Sequence, residues 1–392
     1  MNVGFAALQM NEALGLSARV FGRGAGVFFI SYVAFEIPSN TILARVGARL
    51  WIARIMLTWG LVSSGMMFVS GVTSFYVMRF LLGAAEAGFF PGIIFYLTRW
   101  FPERERARTI ALFMTAVLAA GIVGGPISGA LLSIGGVWGL AGWQWLFLIE
   151  GLPAVVLGLV VLAKLTERPE QASWLTSGER AALAARLAEE SIARAASPQT
   201  VMAALTNGRI WLLAVVYFTL PVALYAMSFW LPQILKIASG GSDFQVGLLS
   251  AIPYAAGAIA MVIAGRHSDR TGERRWHVAV ACVVGGAAFA ASAYAQTLVA
   301  SLVLLSIAMA GLASMLGPFW TLATAAVTGR AAAAGIALIN SVGNIGGYVG
   351  PDLLGYARYT THSFFAGLVA VGAILALGGV LVLALDDEPP RS

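Results

Sequence analysis

The sequence predicts an all-α polytopic membrane protein built from two related helical halves, and three features of it carry that prediction. Of its 392 residues, 59% are hydrophobic and only 11% charged, whereas about a quarter of a soluble domain is charged. Apolar runs of membrane-spanning length recur along the whole chain. Local patterns in the first half also return in the second at a constant offset of 225 residues.

A hydrocarbon core about 30 Å thick requires about 20 apolar residues in helical form. Eleven segments meet that length: 25–44, 52–70, 75–98, 109–133, 146–164, 210–235, 245–265, 277–295, 299–327, 333–356 and 363–385. Between the fifth and sixth lies a long polar stretch, 165–209, whose run SGERAALAARLAEESIARAA predicts a linker helix with charge on most faces. The expected division is therefore an N-terminal bundle 1–164, a linker 165–209, a C-terminal bundle 210–385 and a tail 386–392.

The net charge is +6, but its distribution argues against nucleic acid as a partner. Alternate loops, the linker and the tail hold 18 Lys and Arg, the opposite loops hold 4, and Arg54 and Arg79 lie inside helices. By the positive-inside rule the rich side is cytoplasmic, which puts the linker and the C-terminus there. Cys282 is the only cysteine, and His267, His277 and His362 have no ligand spacing, so neither a disulfide framework nor a metal site is expected. There is no nucleophile elbow and no phosphate loop, so an enzyme is not expected either. Nor is any cofactor, apart from a proton as coupling ion.

The repeat is specific. ARVGARLW (Ala44 to Trp51) answers to SDRTGERRW (Ser268 to Trp276), with Arg45 matching Arg270 and Gly47 matching Gly272. GIVGGPISGA and GGYVGPDLLG match at Gly121/Gly346, Gly125/Gly350 and Pro126/Pro351. A repeated six-helix unit joined by a cytoplasmic loop resembles the major facilitator superfamily. GRHSDRTGERR keeps that family's loop pattern, and the first half departs from it at Ala44. The stretches FEIPSNTILARVGARLWIARI, RFLLGAAEAGFFPG, RWFPERERAR, GWQWLFLIEGLPA and GPFW resemble the anion:cation symporter branch, which includes permeases for tartrate, phthalate and sugar acids.

Glu86 is residue 12 of the 24 in 75–98, close to the midplane where secondary transporters bind substrate. A charge there costs about 3 kcal/mol on insertion scales, so it is expected to face a partner or a water path. Glu86 is the expected proton-coupling group. Arg79, seven residues earlier on nearly the same face, is expected to attract a substrate carboxylate through its planar fork or to hold Glu86 ionised in one state, or else to snorkel. The resemblance adds Tyr32, Trp320 and Asn340 as substrate-site positions, and Asn344 and Tyr225 join them as helix-borne polar groups. Glu36, Glu150 and Asp352 are expected to be structural, Glu36 at the kink near Pro38. Arg45, Arg49, Asp269, Arg270, Arg274 and Arg275 are the expected cytoplasmic gate.

What the resemblance implies is a monomer in the cell (inner) membrane that moves a small organic carboxylate with a proton by alternating access. The GxxxGP run of 121–126 resembles one in antiporters, which leaves exchange open, and a non-transporting sensor or an inactive remnant is the other alternative. Applied backwards, the 225 offset sets the helix at 210–235 largely before Met1. A misassigned start is therefore expected, with an upstream apolar run ending in the family's Asp-Arg pair and twelve helices in all.

Overall fold

The computed structural model describes residues 2–195, 201–326 and 332–385. The tail 386–392, Arg330 and linker positions 196–200 lie outside the described residues. In chain order the α-helices are α1 Asn2–Ala13, α2 Ala18–Val46, α3 Ala48–Gly65, α4 Val72–Glu86, α5 Phe89–Thr98, α6 Glu103–Leu132, α7 Gly142–Lys164 and α8 Ser177–Ala195. They continue as α9 Val201–Leu205, α10 Gly208–Ser239, α11 Asp243–Thr271, α12 Arg275–Ala291, α13 Leu298–Ala326, α14 Ala332–Thr361 and α15 Phe365–Leu381.

The repeat is visible at the helix ends. Ser17 caps α2 by accepting from the Val20 N–H at 3.2 Å, and its mate Ser242 caps α11 by accepting from Gln245 at 3.3 Å. Each of these two helices then closes on a glycine, Gly47 or Gly272. The first and second six-helix units form two bundles, and α8 lies between them in chain order. Trp100, just past α5, stacks on Trp174 at 5.7 Å and ties the linker to the first bundle.

Among the described residues, ten helical segments are long and apolar enough to cross a membrane, one fewer than expected. The missing one is 333–356, present as α14 but rich in Gly and Asn. That composition suits its place, because α14 packs on both α2 and α10. A helix enclosed by protein needs close approach more than oiliness.

Two seams join the bundles, and the 225 offset relates them: α2 against α14, and α11 against α6. Glycines set their spacing. A Cβ on Gly22 would sit 2.6 Å from the Pro351 carbonyl oxygen, and one on Gly125 would sit 2.7 Å from that of Gly247. Gly121, Gly125 and Gly129 all face α11, so the spacing noted in antiporters serves packing here. The arginine-poor ends are further bound by polar contacts: Arg23 pairs with Asp352 at 3.5 Å, and Gln9 of α1 donates to Asp243 at 2.8 Å, which also holds Lys236 at 2.7 Å. Along α2 the seam runs from Gly22 through Gly26 and Phe29 to Glu36, and beyond it Ile37 is 74% exposed. These contacts hold the bundles together at the arginine-poor end and along the seam as far as Glu36.

Candidate functional site

The expected single helix 75–98 is broken at its middle. α4 ends at Glu86, Ala87 is extended, and α5 starts after Gly88, whose φ of 86° lies in the left-handed region that only glycine adopts cheaply. Pro91 explains the break. It has no N–H to give the Ala87 carbonyl, and its ring crowds that same carbonyl one turn back. Ser39 of α2 supplies the missing donor, its Oγ donating to the Ala87 oxygen at 2.6 Å while Trp51 Nε1 donates to Ser39 at 2.9 Å. Arg54 lies 3.9 Å over the Trp51 ring and reaches the Ala85 oxygen at 3.4 Å. Interrupted membrane helices of this kind occur where backbone lines a cavity. Glu86 is therefore the last residue of a half-helix, with the freed backbone satisfied behind it.

Part of the expected site lies near Glu86. Tyr32 of α2 and Tyr225 of α10 are close enough to its carboxyl to interact with it electrostatically. Phe29 closes the outer side, its ring 4.3 Å from Tyr225. From α13, Trp320 packs edge-on to Tyr217 at 4.9 Å, and Tyr217 stacks on Phe319 at 5.1 Å. Asn340 of α14 lies on the facing wall, with Asn344 half-buried one turn further out. Tyr217 was not anticipated; an aromatic in an apolar helix carries no local mark of its role.

Two expectations need correction. Arg79 neither snorkels nor points a free fork into the cavity. It is 4% exposed, and its Nε and Nη2 donate to the Gly24 and Ala25 carbonyls at 3.1 and 2.9 Å. Phe28 and Phe229 flank the guanidinium at 5.0 and 5.7 Å. It braces α4 against α2, because a buried cation with two well-placed carbonyls is better satisfied there than beside a carboxylate two turns away. Glu36 does not serve the kink at Pro38. Its Oε1 accepts from Asn340 Nδ2, 3.3 Å away on the other bundle. Glu150 accepts from Ser128 at 2.6 Å, and Asp352 pairs with Arg23.

Four of the six expected gate residues are bound within their own bundles. Asp269 pairs with Arg274 at 2.7 Å while remaining 73% exposed, and Arg275 bonds the Leu385 carbonyl. Arg49 donates through Nε to the Leu162 oxygen at 2.9 Å. Arg45 and Arg270 are exposed. Two carboxylates not foreseen organise these loops. Glu167 accepts from the Ala48 and Arg49 N–H groups at 2.9 and 2.8 Å and pairs with Arg99. Glu273 does the same for α12, accepting from Trp276 N–H at 2.6 Å and bonding His277 Nδ1 at 2.6 Å. Partial burial of Glu273 opposes ionisation, but these bonds outweigh it and hold the carboxyl below its usual range. Acidic groups at helix N-termini are stabilising for the dipole as well as the orphan N–H groups.

The chain covers 392 residues of a putative tartrate transporter of Agrobacterium vitis at 51% identity, all of this chain and 87% of that one. It is 45% identical to a putative metabolite transport protein, NicT, of Pseudomonas putida, across 99% of this chain and 89% of that one. Among solved structures, the xylose transporter XylE of Escherichia coli in a partially occluded inward-open conformation superposes with a TM-score of 0.77 at 15% identity, over 100% and 94% of the two chains. The model of the Major Facilitator Superfamily matches residues 1–351. By that match and by these relatives, this membrane transporter belongs to the Major Facilitator Superfamily.

Proposed function

We propose that the protein is a proton-coupled symporter of small organic carboxylates, working by alternating access in the inner membrane with its arginine-rich face to the cytoplasm. The observation that carries this is Glu86, a carboxyl at the end of a broken helix within an apolar span, with the hydroxyls of Tyr32 and Tyr225 near enough to interact with it. A carboxyl so placed can be neutral when the site is dry and charged when water enters. Tyr32, Tyr225, Trp320, Asn340 and Asn344 offer donors and an amphipathic wall for the hydroxyls and carboxylates of a substrate such as tartrate, the acid named for the Agrobacterium relative. Arg79 contributes its charge from the outer floor while its N–H groups hold α2.

In this arrangement Asp269, Arg274 and Arg275 rest on partners of their own bundle. Closing the arginine-rich end would re-engage them across the bundles and open the other seam ends. Counterflow in proteoliposomes tests the substrate class. Labelled tartrate should enter vesicles preloaded with unlabelled tartrate and be displaced by other hydroxy-dicarboxylates but not by xylose. Entry of labelled xylose instead, with none of tartrate, would refute it.

A further inference from the structure

We infer that Glu36 is a second proton-binding residue of the cycle and that Asn340 senses its charge from the opposite bundle, a role that presupposes the proton-coupled reading above. Glu36 is 7% exposed, and its hydrogen-bond partner in the structure is the Asn340 amide, 3.3 Å away on α14. The cations on the neighbouring helices are engaged elsewhere, Arg79 of α4 on Gly24 and Ala25, and Arg54 of α3 on Ala85 and Trp51. The other titratable groups near enough to interact with it are the hydroxyls of Tyr32 on α2 and Tyr217 on α10, and Tyr32 also interacts with Glu86 of α4. A carboxylate held by one amide in such surroundings would carry an uncompensated charge, which is costly. A neutral carboxyl fits.

Its position gives that charge a lever. The pair bridges α2 and α14 on the arginine-rich side of the Gly22, Gly26 and Phe29 contacts of that seam. The fold does not require it: the 225 offset sets Met261 and Thr115 at the matching place in the other seam, where Thr115 bonds its own helix at Leu112, 2.6 Å away. Only one of the two matching places therefore carries a titratable residue. Protonated, Glu36 lets this seam stay closed at the arginine-poor end. Deprotonated, it draws in water and favours opening there. One proton is taken from water on one face and given to water on the other, and no bond other than O–H is made or broken.

The test uses full-length protein in nanodiscs with Cys282→Ala and spin labels at Thr41→Cys and Thr271→Cys, exposed positions at the arginine-rich ends of α2 and α11. As pH rises, the long inter-label distance should give way to a short one. Glu86→Gln should keep a pH response, Glu36→Asp should keep it, Glu36→Gln should lose it, and Asn340→Ala should move its midpoint to higher pH, since the amide favours the anion. The inference is overturned if Glu36→Gln titrates like the parent, or if Glu86→Gln alone removes the whole response. Because the distance is read without substrate, absence of tartrate transport by the parent protein would count against the proposed function and not against this pair.

Discussion

Glu86 and Arg79 show how far single residues can be read in isolation. An acid midway through an apolar run is conspicuous in the sequence, and the structure adds only its neighbours, Tyr32 and Tyr225. Arg79 was equally conspicuous, but its acceptors lie 55 and 54 positions away in chain order, on carbonyls that no side-chain pattern advertises. The partner of Glu36 is 304 positions away, so its role belonged to the assembled bundles and not to the local kink. Glu86→Gln should abolish proton-driven accumulation and leave exchange measurable, because the amide mimics the protonated acid; accumulation undiminished against a gradient would remove Glu86 from coupling. Arg79→Lys should lose one of two carbonyl bonds from a buried cation, about 1.5–3 kcal/mol. A fall in the thermal midpoint of the purified protein would report that loss, and an unchanged midpoint with weakened substrate binding would return Arg79 to the cavity.

At the scale of elements, most helices were legible because length and apolarity suffice to mark them. The break after Glu86 was missed, although Gly88 and Pro91 stood in the sequence as its signal; a membrane run tolerates both residues, so only the Ser39 bond reveals which carbonyl was released. Gly88→Ala should be harmful twice over, through about 1–2 kcal/mol of left-handed strain and through a Cβ directed at Ser39. Ser39→Ala leaves the Ala87 oxygen buried without a donor, at about 1–3 kcal/mol, and should lower both the thermal midpoint and the transport rate; transport and midpoint equal to the parent would mean the break is held by other means. The loops invite a different variant. Asp269→Asn should slow turnover with little change in substrate affinity, since Asp269 lies in the arginine-rich loop and far from Glu86. Lowered affinity at constant turnover would contradict its assignment to the gate. Glu273, depressed by its helix-capping bonds, stabilises α12 above the ordinary carboxylate range and loses that contribution as pH falls through its lowered value.

The whole molecule is two bundles joined along two glycine seams and bound together at the arginine-poor end. Its repeat was readable because Ser17/Ser242 and Gly47/Gly272 cap and end corresponding helices. Which end would be open was not readable, since an alternating protein has one sequence and two arrangements close in free energy. The central claim, that a proton gradient drives an organic acid through this cavity, is tested most directly by purified protein in sealed liposomes with labelled tartrate and an imposed pH difference. Symport predicts accumulation above the external concentration when the interior is alkaline, decaying when an ionophore collapses the gradient. Uptake that stops at equal concentrations whatever the pH difference, or that does not exceed protein-free liposomes, would contradict it.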